Sequence, residues 1–107
     1  EYADGQAYTL PAEYLRVYSP SAEVRGHGTG NETLQFGKRN VTITSLVQAG
    51  NYALQITFSD GHDSGIYGWD YLKELGKTHE QKWSVYLQKI HQAGLSRDID
   101  SQVIKLV

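Results

Sequence analysis

At 107 residues the chain has room for one small domain around a single hydrophobic core. A net charge of -2 and a pI near 6.1 lack the basic footprint of a duplex nucleic-acid binder, and no run approaches the ~18 apolar residues of a membrane span. The absence of cysteine excludes disulfides, thiolate catalysis and any cysteine-based zinc or iron–sulfur site built from these residues alone.

No signal-peptide pattern opens the chain, so a cytoplasmic setting is the expectation. The first residue is Glu1 rather than methionine, and the chain starts on half of a hairpin, which suggests that a strand precedes it. Glu1 to Ala3, Asp4-Gly5 and Gln6 to Leu10 read as strand, turn and strand. Pro11 fits the first turn of a helix, and Pro11 to Tyr18 reads as a short one burying Tyr14, Leu15 and Tyr18. Ser19-Pro20 ends it, because the residue before a proline avoids the helical region. Residues 21–37 are rich in glycine around His27 and read as a surface loop; no phosphate-binding glycine pattern is present.

From Asn40 the apolar period becomes two. Val41, Ile43, Leu46 and Val47 mark one strand, Gly50-Asn51 a turn, and Tyr52, Leu54, Ile56 and Phe58 the packed face of the next strand. Asp60-Gly61 predicts a two-residue turn into a return strand that ends at Tyr67. Gly68 breaks that strand, and a helix from Trp69 closes at Gly76 as its C-cap. A last helix starts with Thr78 as N-cap, carries Trp83, Tyr86, Leu87 and Ile90 as one apolar stripe, and stops at Gly94. Residues 1–98 thus form one α+β domain, a small antiparallel sheet of hairpins packed on two or three helices. Residues 99–107 form a tail that ends in the apolar run Val103 to Val107.

Two groupings could carry chemistry. His62 stands between Asp60 and Asp63, a set that can bind a divalent metal or act as acid and base if another segment, such as His27 or His79, completes it. The residues favour the plainer reading, a turn in which Asp60 caps backbone amides and His62 leans on an aromatic ring. Tyr67, Trp69 and Tyr71 form an aromatic corner fit for a core or for a partner, and Lys38-Arg39 could meet an anionic one. No nucleophile elbow, HExxH pair or facial triad is present, so no catalytic constellation is expected.

LPAEYLRVYSPSAEVRGHG, GKRNVTI and GNYALQITFSDGHDSGIYGWDYLKELG resemble the gamma-butyrobetaine hydroxylase-like N-terminal domain family across roughly residues 5–98. That resemblance implies a small α+β domain found alone, at the N-terminus of carnitine-synthesis dioxygenases, or fused to P-loop iron–sulfur carrier ATPases. It implies a non-catalytic accessory role through a protein partner, with iron–sulfur cluster handling in view and no cofactor of its own expected. In the dioxygenases the domain is similar to a zinc module of three cysteines after a Leu-Arg pair and one histidine in a DGH turn. By position the pair is Leu15-Arg16, the cysteines fall near Ser19, Ser21 and Val24, and the histidine is His62. Hydroxyls and a valine cannot replace thiolates as zinc ligands, so zinc or iron at His62, Asp60 and Asp63 is the alternative expectation rather than the first.

Overall fold

A six-residue helix cannot hold itself together in water, so α1 (Ala12–Val17) exists only because the rest of the chain closes around it. The computed structural model describes residues 8–21, 24 and 34–98, and in it Glu13 through Val17 are all buried. After α1 come β1 (Ile43–Ala49), β2 (Ala53–Phe58) and β3 (Gly65–Gly68), then α2 (Trp69–Lys77) and α3 (His79–Gln92). The strands make one antiparallel sheet in the order β1-β2-β3, with Leu46 opposite Ile56 and Leu54 opposite Tyr67. This is the expected α+β arrangement. The N-terminal hairpin, His27 and the apolar run 103–107 lie outside the described residues.

Ile56 and Phe58 on the central strand bury their side chains against Tyr14 and Leu15 of α1, Tyr67 of β3, and Leu72 and Leu75 of α2. Val17, Tyr86 and Ile90 form a second cluster, with Trp83, Leu34 and Leu95 around it. Burying each of these large apolar groups contributes about 2–3 kcal/mol, the term that docks helices on the sheet.

Tyrosine hydroxyls tie the layers together. Helix ends leave backbone carbonyls without intrahelical partners, and α1 and α2 receive theirs from aromatic neighbours. Tyr67 donates to Leu15 O (2.5 Å), Tyr71 to Tyr18 O (2.6 Å) and Tyr14 to Leu75 O (2.7 Å). Tyr18 reaches Lys82 O (2.7 Å) and Tyr86 reaches Gln35 O (2.8 Å). Burial pushes the Tyr14 phenol up to about 12, and it also raises Tyr18, Tyr67 and Tyr86. Five of the eight tyrosines in this chain without methionine therefore supply both apolar area and carbonyl caps.

Glu13 is buried inside this assembly, and Arg97 grips it with two bonds of 2.8 and 2.7 Å while lying 5.0 Å from the Trp83 ring centre. The fork pins the chain after α3 to α1.

Several local expectations change. Tyr52 does not join the packed face; it sits in the loop before β2 and is 81% exposed. Gly76 is not a C-cap, because α2 runs on through Lys77. A Cβ there would stand 2.5–2.8 Å from atoms of the Tyr8 ring, so a close approach selects glycine. Thr78 forms no side-chain N-cap bond; its hydroxyl turns back to Glu74 O at 2.7 Å. Leu87 lies at the margin of the α3 stripe, 37% exposed. Gly94 does end α3: it has φ +69 and donates to His91 O, while Leu95 donates to Ile90 O, a Schellman ending.

Candidate functional site

The turn after β2 is wider than two residues. Gly61 N donates to Phe58 O (2.9 Å) with Gly61 at φ +90, and Phe58 N donates to His62 O (2.9 Å) to close the loop. That is a three-residue loop with a glycine bulge. Its effect is to direct His62 inward, 6% exposed, while Asp63 and Ser64 stay at the surface.

Asp60 ties this loop to α1. One carboxylate oxygen accepts the His62 backbone N–H at 3.1 Å; the other accepts Arg16 Nε at 2.8 Å and Lys38 Nζ at 2.6 Å. Burial works to raise the Asp60 carboxyl, but the bonds from Lys38, the His62 amide and Arg16 outweigh it and hold the group at about 2. The Arg16 guanidinium is itself buried, and its Nη1 has no partner among the described residues.

Beneath the loop, His62 Nε2 lies 2.8 Å from Ser19 Oγ. Ser21 N donates to Ser19 Oγ at 3.2 Å, and the Ser21 and Ser64 hydroxyls share a bond of 2.7 Å. Val24 N donates to Ser21 O at 3.0 Å, which places Val24 one turn further along the same stretch. Ser19, Ser21, Val24 and His62 are all buried. Gly65 on β3 makes room for them, since a Cβ at Gly65 would stand 2.6 Å from Ser19 Oγ and 2.9 Å from the Tyr67 ring. The fold thus brings together Ser19, Ser21 and His62, three of the four positions that the resemblance matches to zinc ligands.

The donor set does not fit that metal. Structural zinc takes four thiolate or imidazole ligands, and this cluster offers one imidazole, two hydroxyls engaged with each other's neighbours, and a valine. Asp60 faces two cations, Asp63 is exposed, and His79 stacks on Tyr14 at 4.3 Å. No group of three or more His, Cys, Asp or Glu able to hold a metal gathers among the described residues. The Ser19–His62 pair pairs a hydroxyl with a base, but Ser19 is 1% exposed and no substrate carbon can reach it. The corner is built to hold the sheet, the loop and α1 together.

The aromatic corner also separates on inspection of its members. Tyr67 is fully buried and is a core residue, not a contact residue. Tyr71 is half-buried behind its bond to Tyr18 O. Trp69 is 38% exposed, its indole N–H donating to Asn51 O at 3.1 Å. Lys38 leans on Asp60, whereas Arg39 stays exposed in a 2.6 Å pair with Asp98.

The larger open surface is one that the sequence pattern does not single out. No residue of β1, β2 or β3 is charged. β1 is an edge strand whose Leu46 and Val47 are 57% and 54% exposed, one on each face. Val47, Gln55 and Ile66 stand abreast across the three strands, with Ile66 also exposed. Alternation marks which residues pair, but not that the sheet extends beyond the helices meant to cover it.

Comparison with known proteins gives this geometry its relatives. A protein whose solution structure was determined by NMR is 55% identical, with 94% of this chain and 79% of that one covered at a TM-score of 0.78. A second NMR structure is 41% identical over 100% of this chain and 80% of that one, TM-score 0.76. A crystal structure of a protein of unknown function in the DUF971 family, from Acidithiobacillus ferrooxidans, is 39% identical over 69% of this chain and 72% of that one, TM-score 0.57. No curated protein matches this chain. The family model described as gamma-butyrobetaine hydroxylase-like, N-terminal, matches residues 1–73, the stretch that holds α1, the sheet and the His62 corner, and the chain belongs to that family.

Proposed function

We propose that this domain is a non-catalytic accessory module that acts through a protein partner docked on the open face and edge of its sheet, in a cytoplasmic setting. The observation that carries the reading is an uncharged edge strand with Leu46 and Val47 exposed on opposite faces. Exposed edges present unpaired N–H and C=O groups, and proteins that leave such edges free guard them with lysine, proline or a covering element. β1 contains neither residue, and no described strand pairs with its outer side. An edge of this kind suits a partner that adds an extended segment and seats apolar side chains on alternate faces.

The first partner to test is a P-loop iron–sulfur carrier ATPase, to which relatives of this family are fused. The chain has no cysteine, so any cluster thiolates in such a complex belong to the partner. Binding of the purified carrier, and capture from the native cell, are compared for the wild type and for Val47→Lys and Ile66→Lys. Both substitutions add charge at exposed positions and leave folding intact. The expected result is partner binding by the wild type that both variants lose. Failure to recover a specific partner, or equal recovery with the variants, refutes the reading.

A further inference from the structure

We infer that the run Val103 to Val107 docks in cis on the outer side of β1 as a fourth, parallel strand, and holds that edge until a partner takes it. The backbone of β1 shows what the edge still offers. Tyr52 O accepts the Trp69 amide, so the even-numbered groups of β2 face β3 and the odd-numbered ones face β1. Through the pairs Ser45–Thr57, Val47–Gln55 and Ala49–Ala53, the odd positions of β1 bond inward. The backbone N–H and C=O groups of Leu46 and Gln48 therefore point away from the sheet, with no strand beside them among the described residues.

The path of the chain after α3 supplies the occupant. Gly37 N donates to Ser96 O (2.8 Å), Arg39 N donates to Arg97 O (2.9 Å), and Arg39 Nε pairs with Asp98 at 2.6 Å. The fork from Arg97 to Glu13 fixes the same stretch to α1. Asp98 is thereby held beside Arg39, just before β1 starts at Ile43. A segment leaving that point for the edge meets the N-terminal end of β1 first, and so runs parallel to it. Residues 99–107 reach about 30 Å when extended. Ile99 to Gln102 cover the approach, and Val103 to Val107 then lie along β1, whose length is about 20 Å.

The side chains of the run suit that place. A period of two puts Ile104 and Leu106 on one face, and Val103, Lys105 and Val107 on the other. With Ile104 and Leu106 on the side of Leu46, they extend the apolar surface begun by Ile43 and Leu54. Lys105 then stands on the open face with Val47. It is the charged residue that β1 lacks and that edge strands use against further pairing.

The test is backbone amide exchange by NMR on the full chain, wild type against I104D/L106D. Leu46 and Gln48 should exchange about tenfold or more slowly in the wild type than in the variant, whereas Val47 and Gln55 should not differ. Equal exchange of Leu46 and Gln48 in the two proteins, fast or slow, overturns the inference. Protection that grows with protein concentration also overturns it, because it assigns the edge to a second copy. If the variant does not fold, cross-strand nuclear Overhauser contacts in the wild type decide. Contacts between residues 103–107 and Leu46 to Gln48 in parallel order are expected, and their absence overturns the docking. No partner enters these measurements, so their failure leaves the partner reading standing.

Discussion

Asp60→Asn tests how the turn is fastened to α1. The substitution preserves shape and the acceptor for the His62 amide, but removes the charge that Arg16 and Lys38 share. Removing one partner of a fully buried ion pair costs about 3–5 kcal/mol, because the other charge stays behind. The side chains of Arg16, Lys38 and Asp60 are 9%, 20% and 23% exposed, so only Arg16 approaches that limit. An independent figure comes from the carboxyl itself. A displacement from 3.8 to about 2, at about 1.36 kcal/mol per unit, gives about 2.4 kcal/mol before discounting for water at the exposed edge. Discounted for that exposure, and below the fully buried ceiling, the expected loss is about 1–2 kcal/mol at neutral pH.

The sign with pH is fixed by the direction of the shift. A carboxyl held low in the folded state adds stability above its unfolded value, and that stability drains away as pH falls from about 4 to about 2. Urea unfolding followed by tryptophan fluorescence, repeated from pH 7 down to pH 2, measures both quantities. Asp60→Asn should unfold at lower urea at pH 7, and the gap to the wild type should close near pH 2. A difference below about 0.5 kcal/mol at pH 7, within the range of ordinary surface pairs, would refute the account. A gap that stays constant with pH would refute it equally.

Two further predictions concern the same core. Gly65→Ala puts a methyl 2.6 Å from Ser19 Oγ, and should destabilise by about 1–3 kcal/mol in chemical denaturation, whereas Gly61→Ala, which meets nothing within 4 Å, should cost through its φ of +90 alone. Tyr14, whose phenol is held up at about 12 against an ordinary 10.0, adds stability that is whole below pH 10 and lost as pH rises toward 12; alkaline unfolding monitored by circular dichroism should begin in that window and shift with Tyr14→Phe.

Much of the backbone plan is written in local sequence. Pro11 and Ser19-Pro20 bound α1, the alternation of Ala53 to Phe58 gives β2, and Gly94 stops α3, because each depends on neighbours within a turn or two. The matching family run through DGHDSGIYGWDYL likewise lies in one continuous stretch. What local sequence leaves open is which side each residue meets. Gly76 looks like a helix stop until Tyr8 is found against it, and Tyr67 looks like part of an open corner until α1 buries it. Glu13 carries no sign in its neighbourhood that Arg97, far along the chain, will neutralise it inside the core.

The DGH turn shows the division most clearly. Its residues mark a hairpin, and nothing beside them in the sequence says what lies beneath the turn. Only the tertiary structure joins Ser19 and Ser21 to His62 and Ser64, since these contacts close loops of 43 residues. Only it, too, leaves the uncharged sheet edge uncovered among the described residues. Exposure is a property of what packs on a strand, and no strand encodes its own neighbours.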